Sequence, residues 1–443
     1  MKIAVIGGGP CGTYIAYKLS KYHKVDLYER ESDLGGCWGT KYKDSQYFTE
    51  HSPRIMFNNY VNTRDFFTEI GIDFYEDFFK VFSVYGKSMK YKDKFTNSDL
   101  FNLTIGLLTP SQYWNAYTVK DMCNLYDISP EAVELIKKMC YGIDGVSYDK
   151  LSAAEYFETI NYSLFSSAYE PRQNSDVYLI PKLKRALYKT NIYYNHKLDY
   201  FQTGRAFFET SSGMVGKKYD HYIICIPPVP FANVMNKSDF TLYKDPKISK
   251  IAESCFYTGI GIQYHFDDDE EYIFKEDTNG EWNIIATYNK QSRCLSCVVV
   301  DFDLKSKVLG LTVNQCSKNQ IEREVWRQLK EVVDMKRYKN VTISENVFKK
   351  GDKYTSTQGS YYRNRNNDTI ETDVGKNVSY VGSHNSHQFP FTSYESALQT
   401  AKMFLNKIEF FEENIPVYNA FGLKDTIIYT FFVILIFYYI SKL

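Results

Sequence analysis

The chain opens MKIAVIGGGPCGTYIAYKLSKYHKVDLYERESDLGGCWGT, and this stretch constrains the fold more than any other. Lys2 to Ile6 is a short apolar run with β-branched residues, which predicts a buried strand. Gly7, Gly9 and Gly12 follow as G-x-G-x-x-G. A helical pattern comes next, with Ile15, Ala16 and Leu19 on one face. Val25 to Tyr28 predicts a second strand, and Glu29 closes it, 22 positions after Gly7. Each part has a chemical reason. Gly7 permits the tight turn from strand to helix, Gly9 leaves room for a pyrophosphate, and Gly12 lets helix and strand pack closely. The helix N-terminus offers free N–H groups and a positive dipole end to phosphate. Glu29 is placed to accept hydrogen bonds from a ribose hydroxyl. A lone glycine motif is weak evidence. Strand, glycines, helix, strand and acid in order predict a dinucleotide site.

At 443 residues the chain is too long for one simple core, and two domains are expected. Lys and Arg balance Asp and Glu at 53 each, so no basic field exists to attract nucleic acid. The nine cysteines are scattered and odd in number, which argues against a disulfide framework. With a strand expected at Lys2 and no signal peptide ahead of it, this points to a reducing, cytosol-facing compartment. Cys294 and Cys297 form one C-x-x-C inside a strand-like run, read as a buried structural pair, and no second pair has metal spacing.

The alternation of strand and helix is interrupted twice. Residues 60 to about 170 carry helical patterns (Asn62–Phe79, Val119–Cys140 and Ala153–Thr159) between polar loops. The α/β pattern returns at Val177 and includes a buried strand in Tyr219 to Pro228, stopped by two prolines. Residues 231 to about 350 form a second inserted region, with strands expected at Tyr257–Phe266, Trp282–Tyr288 and Leu295–Phe302 and a helix from Gln320 to Val333. A last strand near Val378–Ser383 and a helix from Ser393 to Ile408 complete the pattern.

The end of the chain differs in kind. Thr426 to Ile440 is 15 residues without a charge. As a helix it reaches about 22 Å, short of the ~30 Å hydrocarbon core, but local thinning and Lys snorkelling close the gap. It is expected to be a membrane tail, preceded by a linker. Ser441-Lys442-Leu443 has the form of a peroxisomal address.

In these residues the chain resembles the flavin-containing amine oxidase superfamily, which includes protoporphyrinogen oxidases. Three separated blocks carry the resemblance: the glycine motif with Gly35, Gly36 and Thr40; the Leu183–Leu187 helix, the Asn195–Leu198 turn and the Asp220–Pro227 strand; and Tyr380-Val381-Gly382 followed by Tyr394-Glu395-Ser396-Ala397. The implied fold class is α/β, with an α+β substrate region. It has a Rossmann-type FAD-binding domain (1–58, 172–230 and 370–408), an interleaved substrate domain (59–171 and 231–369), a linker (409–424) and a hydrophobic tail helix (425–443).

The resemblance implies FAD as cofactor, with Gly7, Gly9 and Gly12 at the pyrophosphate and Glu29 at the ribose. It also implies contacts from Arg30, Gly36, Cys37, Trp38 and Arg54, the Leu198 backbone at the adenine, and Gly382, Tyr394 and Glu395 at the phosphate and flavin end. The implied reaction takes a hydride from a C–N or C–C bond to flavin N5, with oxygen as acceptor and a small-molecule substrate, lipophilic if the tail is more than an address. The catalytic domain is then membrane-associated and faces the cytosol.

Several positions depart from the family. Cys37 stands where Arg is usual, with Arg54 a substitute. The Gly35–Trp38 segment is also similar to flavin monooxygenases, but their second glycine motif is absent. The Tyr257–Phe266 strand lacks the lysine many amine oxidases carry, and Ser393 replaces an aromatic. No cysteine follows Cys316 to hold flavin covalently. No catalytic dyad stands out; the candidates are Gln263, Tyr264, His51 and His384, with His387 and the Tyr361-Tyr362 pair as further wall positions. The rival class is a non-catalytic binding protein similar to Rab GDP-dissociation inhibitors.

Overall fold

The computed structural model describes residues 1–39, 54–84, 89–239, 241–243, 245–254, 259–267, 281–344, 347–356, 372–385 and 393–440. His51, His387 and Tyr361-Tyr362 lie outside these residues.

Strand Lys2–Ile6 is central to a six-stranded sheet. It pairs in parallel with Lys24–Tyr28 on one side and His221–Ile224 on the other. Asn191–Tyr193 and Val378–Tyr380 extend the parallel set, and Asp373–Gly375 closes one edge antiparallel. A parallel sheet is covered on both faces, so its strands read as continuous apolar runs. The two parities of the first strand go to different layers. Ile3 and Val5 pack with the Pro10–Leu19 and Tyr394–Leu405 helices. Ala4 and Ile6 pack against a three-stranded antiparallel sheet through Leu198, Phe201, Ala206 and Phe208.

The two inserted regions form a lobe with cores of its own, although the first also packs Tyr60, Phe66, Phe67 and Phe78 into the core of the six-stranded sheet. The first has a helical core around Trp114, Met122, Ile136 and Phe157. Its expected helix over Asn62–Phe79 is shorter: it spans Val61–Glu69, Gly71 turns at φ +79°, and Phe78–Ser83 is a strand. That strand joins Met56–Phe57 and Ser167–Pro171 in a three-stranded sheet. The second region is a four-stranded antiparallel sheet of Ile284–Asn289, Cys294–Val299, Ile260–His265 and Asn340–Ile343, backed by the Lys318–Val332 helix. Hydrogen bonds cross between the regions. Tyr141 donates to Asp301 Oδ2 at 2.8 Å, and Thr287 donates to Glu170 Oε1 at 2.6 Å.

The tail is a helix, Leu423–Ile440. Leu423 and Ile427 pack on the helical core, and Asn161 Oδ1 accepts from the Lys424 N–H at 2.8 Å. The expected crossing segment finds no support in the structure. Among the described residues no helix is long and apolar enough to cross a membrane. The first turn holds Lys424 and Asp425 and is fastened to the lobe.

Candidate functional site

The turn after the first strand is built as its glycines predict. Gly7 has φ +111°, and a Cβ there would stand 2.5 Å from the Cys225 carbonyl oxygen. A Cβ on Gly12 would stand 1.9 Å from the Gly7 oxygen, so helix and strand touch through backbone. Gly9 differs: a Cβ there would meet nothing nearer than Gly36 Cα, at 3.9 Å. Gly36 faces it with φ +57°, held by a short turn over Gly36–Trp38. Gly9 and Gly36 thus bring two backbone turns close together, since a Cβ on Gly36 would stand 3.0 Å from Gly9 Cα, and the pair forms one edge of a cradle on the cavity lining. Pro10 starts the helix, where its missing N–H costs nothing.

Glu29 is buried at the edge of this cradle. Its Oε2 accepts from the Gly8 N–H at 2.6 Å and its Oε1 from the Glu31 N–H at 2.8 Å. Burial raises its pKa, against these two N–H groups, which favour the charged form. Arg30 lies beside Glu31, with Nε 3.2 Å from the carboxylate. Arg54 donates to the Cys37 carbonyl and lies over the Trp38 ring, 5.2 Å from its centroid. The arginine therefore fastens the Gly36–Trp38 turn. Trp38 meets Tyr394 edge-on at 5.6 Å.

A single cavity of about 1140 Å³ runs from the cradle into the inserted lobe. Gly7, Gly9, Glu29, Arg30, Gly36, Cys37, Trp38, Arg54, Leu198, Gly382, His384 and Tyr394 all line it. These residues come from the three sequence blocks, brought together by the parallel order of the sheet. The far wall is apolar, with Ile285, Ala286, Val298 and Val300. Tyr60, Asp144 and Thr287 are polar points on the lining.

Three candidates fall elsewhere. Tyr264 donates to the Glu322 carbonyl at 2.6 Å and packs in the core of the second insertion. Gln263 Oε1 accepts from Thr342 at 3.2 Å within the same sheet. Neither lines the cavity; the next two strands of that sheet supply the wall instead. Glu395 is also off the lining. Its carboxylate accepts from the Asn62 N–H and Nδ2 and from the Thr63 N–H and Oγ1, at 2.7–2.9 Å. It clamps the Val61–Glu69 helix to the Tyr394–Leu405 helix.

His384 stacks on Tyr380 with centroids 3.8 Å apart, and its Nε2 is buried without a hydrogen-bond partner among the described residues. Burial pulls its pKa down to about 3, so the ring is neutral at pH 7. Glu170, Thr287 and Asp144 carried no sequence signal. Glu170 and Thr287 are 117 positions apart, and only the packing of the two insertions joins them. Among the described residues no group of His, Cys, Asp or Glu could hold a metal ion.

A family profile described as an NAD(P)-binding Rossmann-like domain matches residues 5–70. No curated protein matches the chain in sequence. Solved structures match over nearly its whole length. A candidate protoporphyrinogen oxidase from Exiguobacterium sp. 255-15 is 14% identical with a TM-score of 0.61, covering 91% of this chain and 97% of that one. A putrescine oxidase bound to putrescine is 13% identical with a TM-score of 0.64, covering 91% and 98%. An oxidoreductase from Methanosarcina mazei is 14% identical with a TM-score of 0.62, covering 92% and 100%. The chain has the amine-oxidase-type fold. At this identity the likeness concerns architecture, and function lies in the site that the fold carries.

Proposed function

We propose that the chain is an FAD-dependent oxidoreductase of amine-oxidase type, which removes a hydride from a C–N or C–C bond of a small apolar substrate, with oxygen as final acceptor. One observation carries this reading: a single cavity joins a dinucleotide cradle to an apolar chamber between two inserted regions. A plain nucleotide-binding module needs no such chamber.

The residues fit FAD on three points. Gly9 and Gly36 leave backbone without side chains on the cavity lining. The helix N-terminus behind it suits a pyrophosphate. His384 offers a buried ring nitrogen on the lining near Gly382. Bound there, FAD supplies the hydride acceptor.

The protein's own part is to bind, orient and exclude water. Gly7, Gly9 and Gly36 let backbone approach the phosphates, and Glu29 accepts from ribose hydroxyls. Trp38 and Tyr394 wall the passage from cradle to chamber. Ile285, Val298 and Val300 keep the chamber dry, which strengthens every polar contact made inside it. The carboxylic acids that reach the lining of the inner wall among the described residues are Asp144 and, through Thr287, Glu170, and Tyr60 and Tyr141 line it as well.

Membrane association, with the catalytic part facing the cytosol, belongs to the same proposal. Its support is the exposed apolar surface of Phe431, Phe432, Val433, Ile434, Ile436 and Phe437.

The test is anaerobic mixing of the FAD-loaded protein with amines, porphyrinogens and polyenes, followed by admission of oxygen. Bleaching of the flavin band and then peroxide release is the expected result. A protein that stays colourless with excess FAD contradicts the reading and favours a binding protein of the same fold.

A further inference from the structure

The inner wall has one polar device that the cofactor end does not need. Glu170 lies on the Ser167–Pro171 strand and is 1% exposed. Its Oε1 accepts from Thr287 Oγ1 at 2.6 Å, and its Oε2 is buried with no hydrogen-bond partner among the described residues. Thr287 lies on the Ile284–Asn289 strand and lines the cavity between apolar neighbours. The acid is thus behind the wall, and the hydroxyl is in it.

A hydroxyl has one proton and two lone pairs, so its partner on one side decides what it offers on the other. A carboxylate only accepts. With Glu170 ionised, the Thr287 proton points back at the acid and the lone pairs are left for the cavity. A protonated carboxyl can donate to Thr287 Oγ1, and the Thr287 proton is then free to turn toward the cavity. We propose that Glu170 sets the hydrogen-bond polarity of Thr287, so that the chamber selects ligands carrying ammonium or N–H donors when Glu170 is ionised and ligands carrying carbonyl-type acceptors when it is protonated. The pair is a positioning and specificity element for substrate at the chamber, and this inference rests on the oxidoreductase reading of the cavity.

The surroundings leave this switch under the control of pH. Burial raises the Glu170 pKa to about 7, opposed only by the Thr287 hydrogen bond. From the Cys294–Val299 strand the Cys294 thiol faces Glu170, and burial holds that thiol far above its usual range, so it is uncharged. The Ile284–Asn289 strand contains no acid or base except Tyr288. In the Phe78–Ser83 strand, Phe79 stands opposite Glu170 in the ladder. Arg172, two residues on, is committed to the Glu76 carbonyl at 2.8 Å. Asp144 is the other acid at this end of the lining, so the test has to separate the two.

The experiment uses the full FAD-loaded protein and two probes that flavin cannot oxidise by hydride removal. One is 2-phenylpropan-2-amine, an ammonium ion with no α C–H. The other is acetophenone, an acceptor only. Binding is read from the perturbed flavin absorbance between about pH 5 and about pH 9, a range that spans the perturbed acid. The wild type is expected to bind the amine about tenfold tighter at the high end and the ketone about tenfold tighter at the low end, the size of one charge-assisted hydrogen bond.

Thr287→Val should bind FAD as before and lose both responses, although Asp144 is untouched. Thr287→Ser should restore both. Glu170→Gln should show flat affinity for both probes across the range. Flat wild-type affinities, no probe binding by the wild type, or a Thr287→Val protein that keeps the crossover would overturn the proposal. A yellow, substrate-reducible protein without the crossover leaves the oxidoreductase reading standing, whereas a colourless protein removes that reading first.

Discussion

Gly9 and Gly12 are separated by three positions, and the structure gives them opposite tasks. At Gly12 an added Cβ would stand 1.9 Å from the Gly7 oxygen, so Gly12→Ala must push helix and strand apart. Forcing atoms into a packed contact of this kind costs about 1–3 kcal/mol or more. At Gly9 the nearest atom to an added Cβ is 3.9 Å away, and the backbone there is extended at φ −78°, which any residue accepts. Replacing a glycine at a helix N-cap by Ala costs about 1 kcal/mol or less. The same methyl would stand in the cradle facing Gly36, where a pyrophosphate has to approach the backbone. A loss of about 2 kcal/mol in binding, roughly thirtyfold in affinity, is expected for a methyl that displaces the ligand from close contact. Urea unfolding of the cofactor-free proteins and FAD titration by fluorescence quenching measure the two effects separately. The account predicts that Gly9→Ala unfolds within ~1 kcal/mol of wild type and binds FAD far more weakly, while Gly12→Ala loses stability first. A Gly9→Ala protein with wild-type FAD affinity would refute the cradle. A Gly12→Ala protein of unchanged stability would refute the packing argument.

Glu395→Ala removes the acceptor for four donors on Asn62 and Thr63. It should cost about 3–5 kcal/mol in urea unfolding, the range for breaking a buried charged network, and a cost under ~1 kcal/mol would mean that the clamp is not formed. Burial lowers the pKa of His265 from 6.5 to about 4 and that of His384 from 6.5 to about 3. Below pH ~6.5 the unfolded chain then binds protons that the native protein refuses, so stability is present above that pH and falls as pH drops toward 4. Each histidine contributes about 1.4 kcal/mol per pH unit there. His384→Phe should therefore reduce the slope of unfolding free energy between pH 6 and pH 4 by about one proton, and an unchanged slope would contradict the burial of His384. A chain ending before Leu423 should shift from the membrane fraction to the soluble fraction on cell lysis, whereas a full-length protein found only in the soluble fraction contradicts membrane association of the tail.

The nucleotide half was legible because its signals are local. Gly7, Gly9, Gly12 and Glu29 lie within one strand–helix–strand unit, and the parallel sheet forces its strands into apolar runs that stand out from the loops. The third block was legible because Gly382 and Tyr394 come at another strand end and helix start of the same sheet. The wall of the chamber was not legible. Ile260–His265 reads as a cavity strand, yet Tyr264 faces the core between its sheet and the Lys318–Val332 helix, Gln263 is taken up by Thr342, and neither lines the cavity. Whether a residue faces a cavity or a core depends on which sheet covers it, and no spacing within one strand carries that. Glu170 and Thr287 meet only after two insertions fold together. Glu395 looked like a flavin contact from its position after Tyr394, but a helix turns about 100° per residue, and this turn points it at Asn62 and Thr63 instead. The tail was read on hydropathy alone. Its first turn proves to be part of the lobe, through Leu423, Ile427 and the Asn161 hydrogen bond.

The central claim is that the cradle and the chamber together hold one flavin. The direct measurement is the visible absorption spectrum of the full-length protein, purified and titrated with FAD, with bound flavin counted per chain after denaturation. The account predicts a yellow protein that saturates at one FAD per chain, with binding weakened in Gly9→Ala. A colourless protein that ignores FAD, or one that takes up NAD(H) in its place, would contradict it.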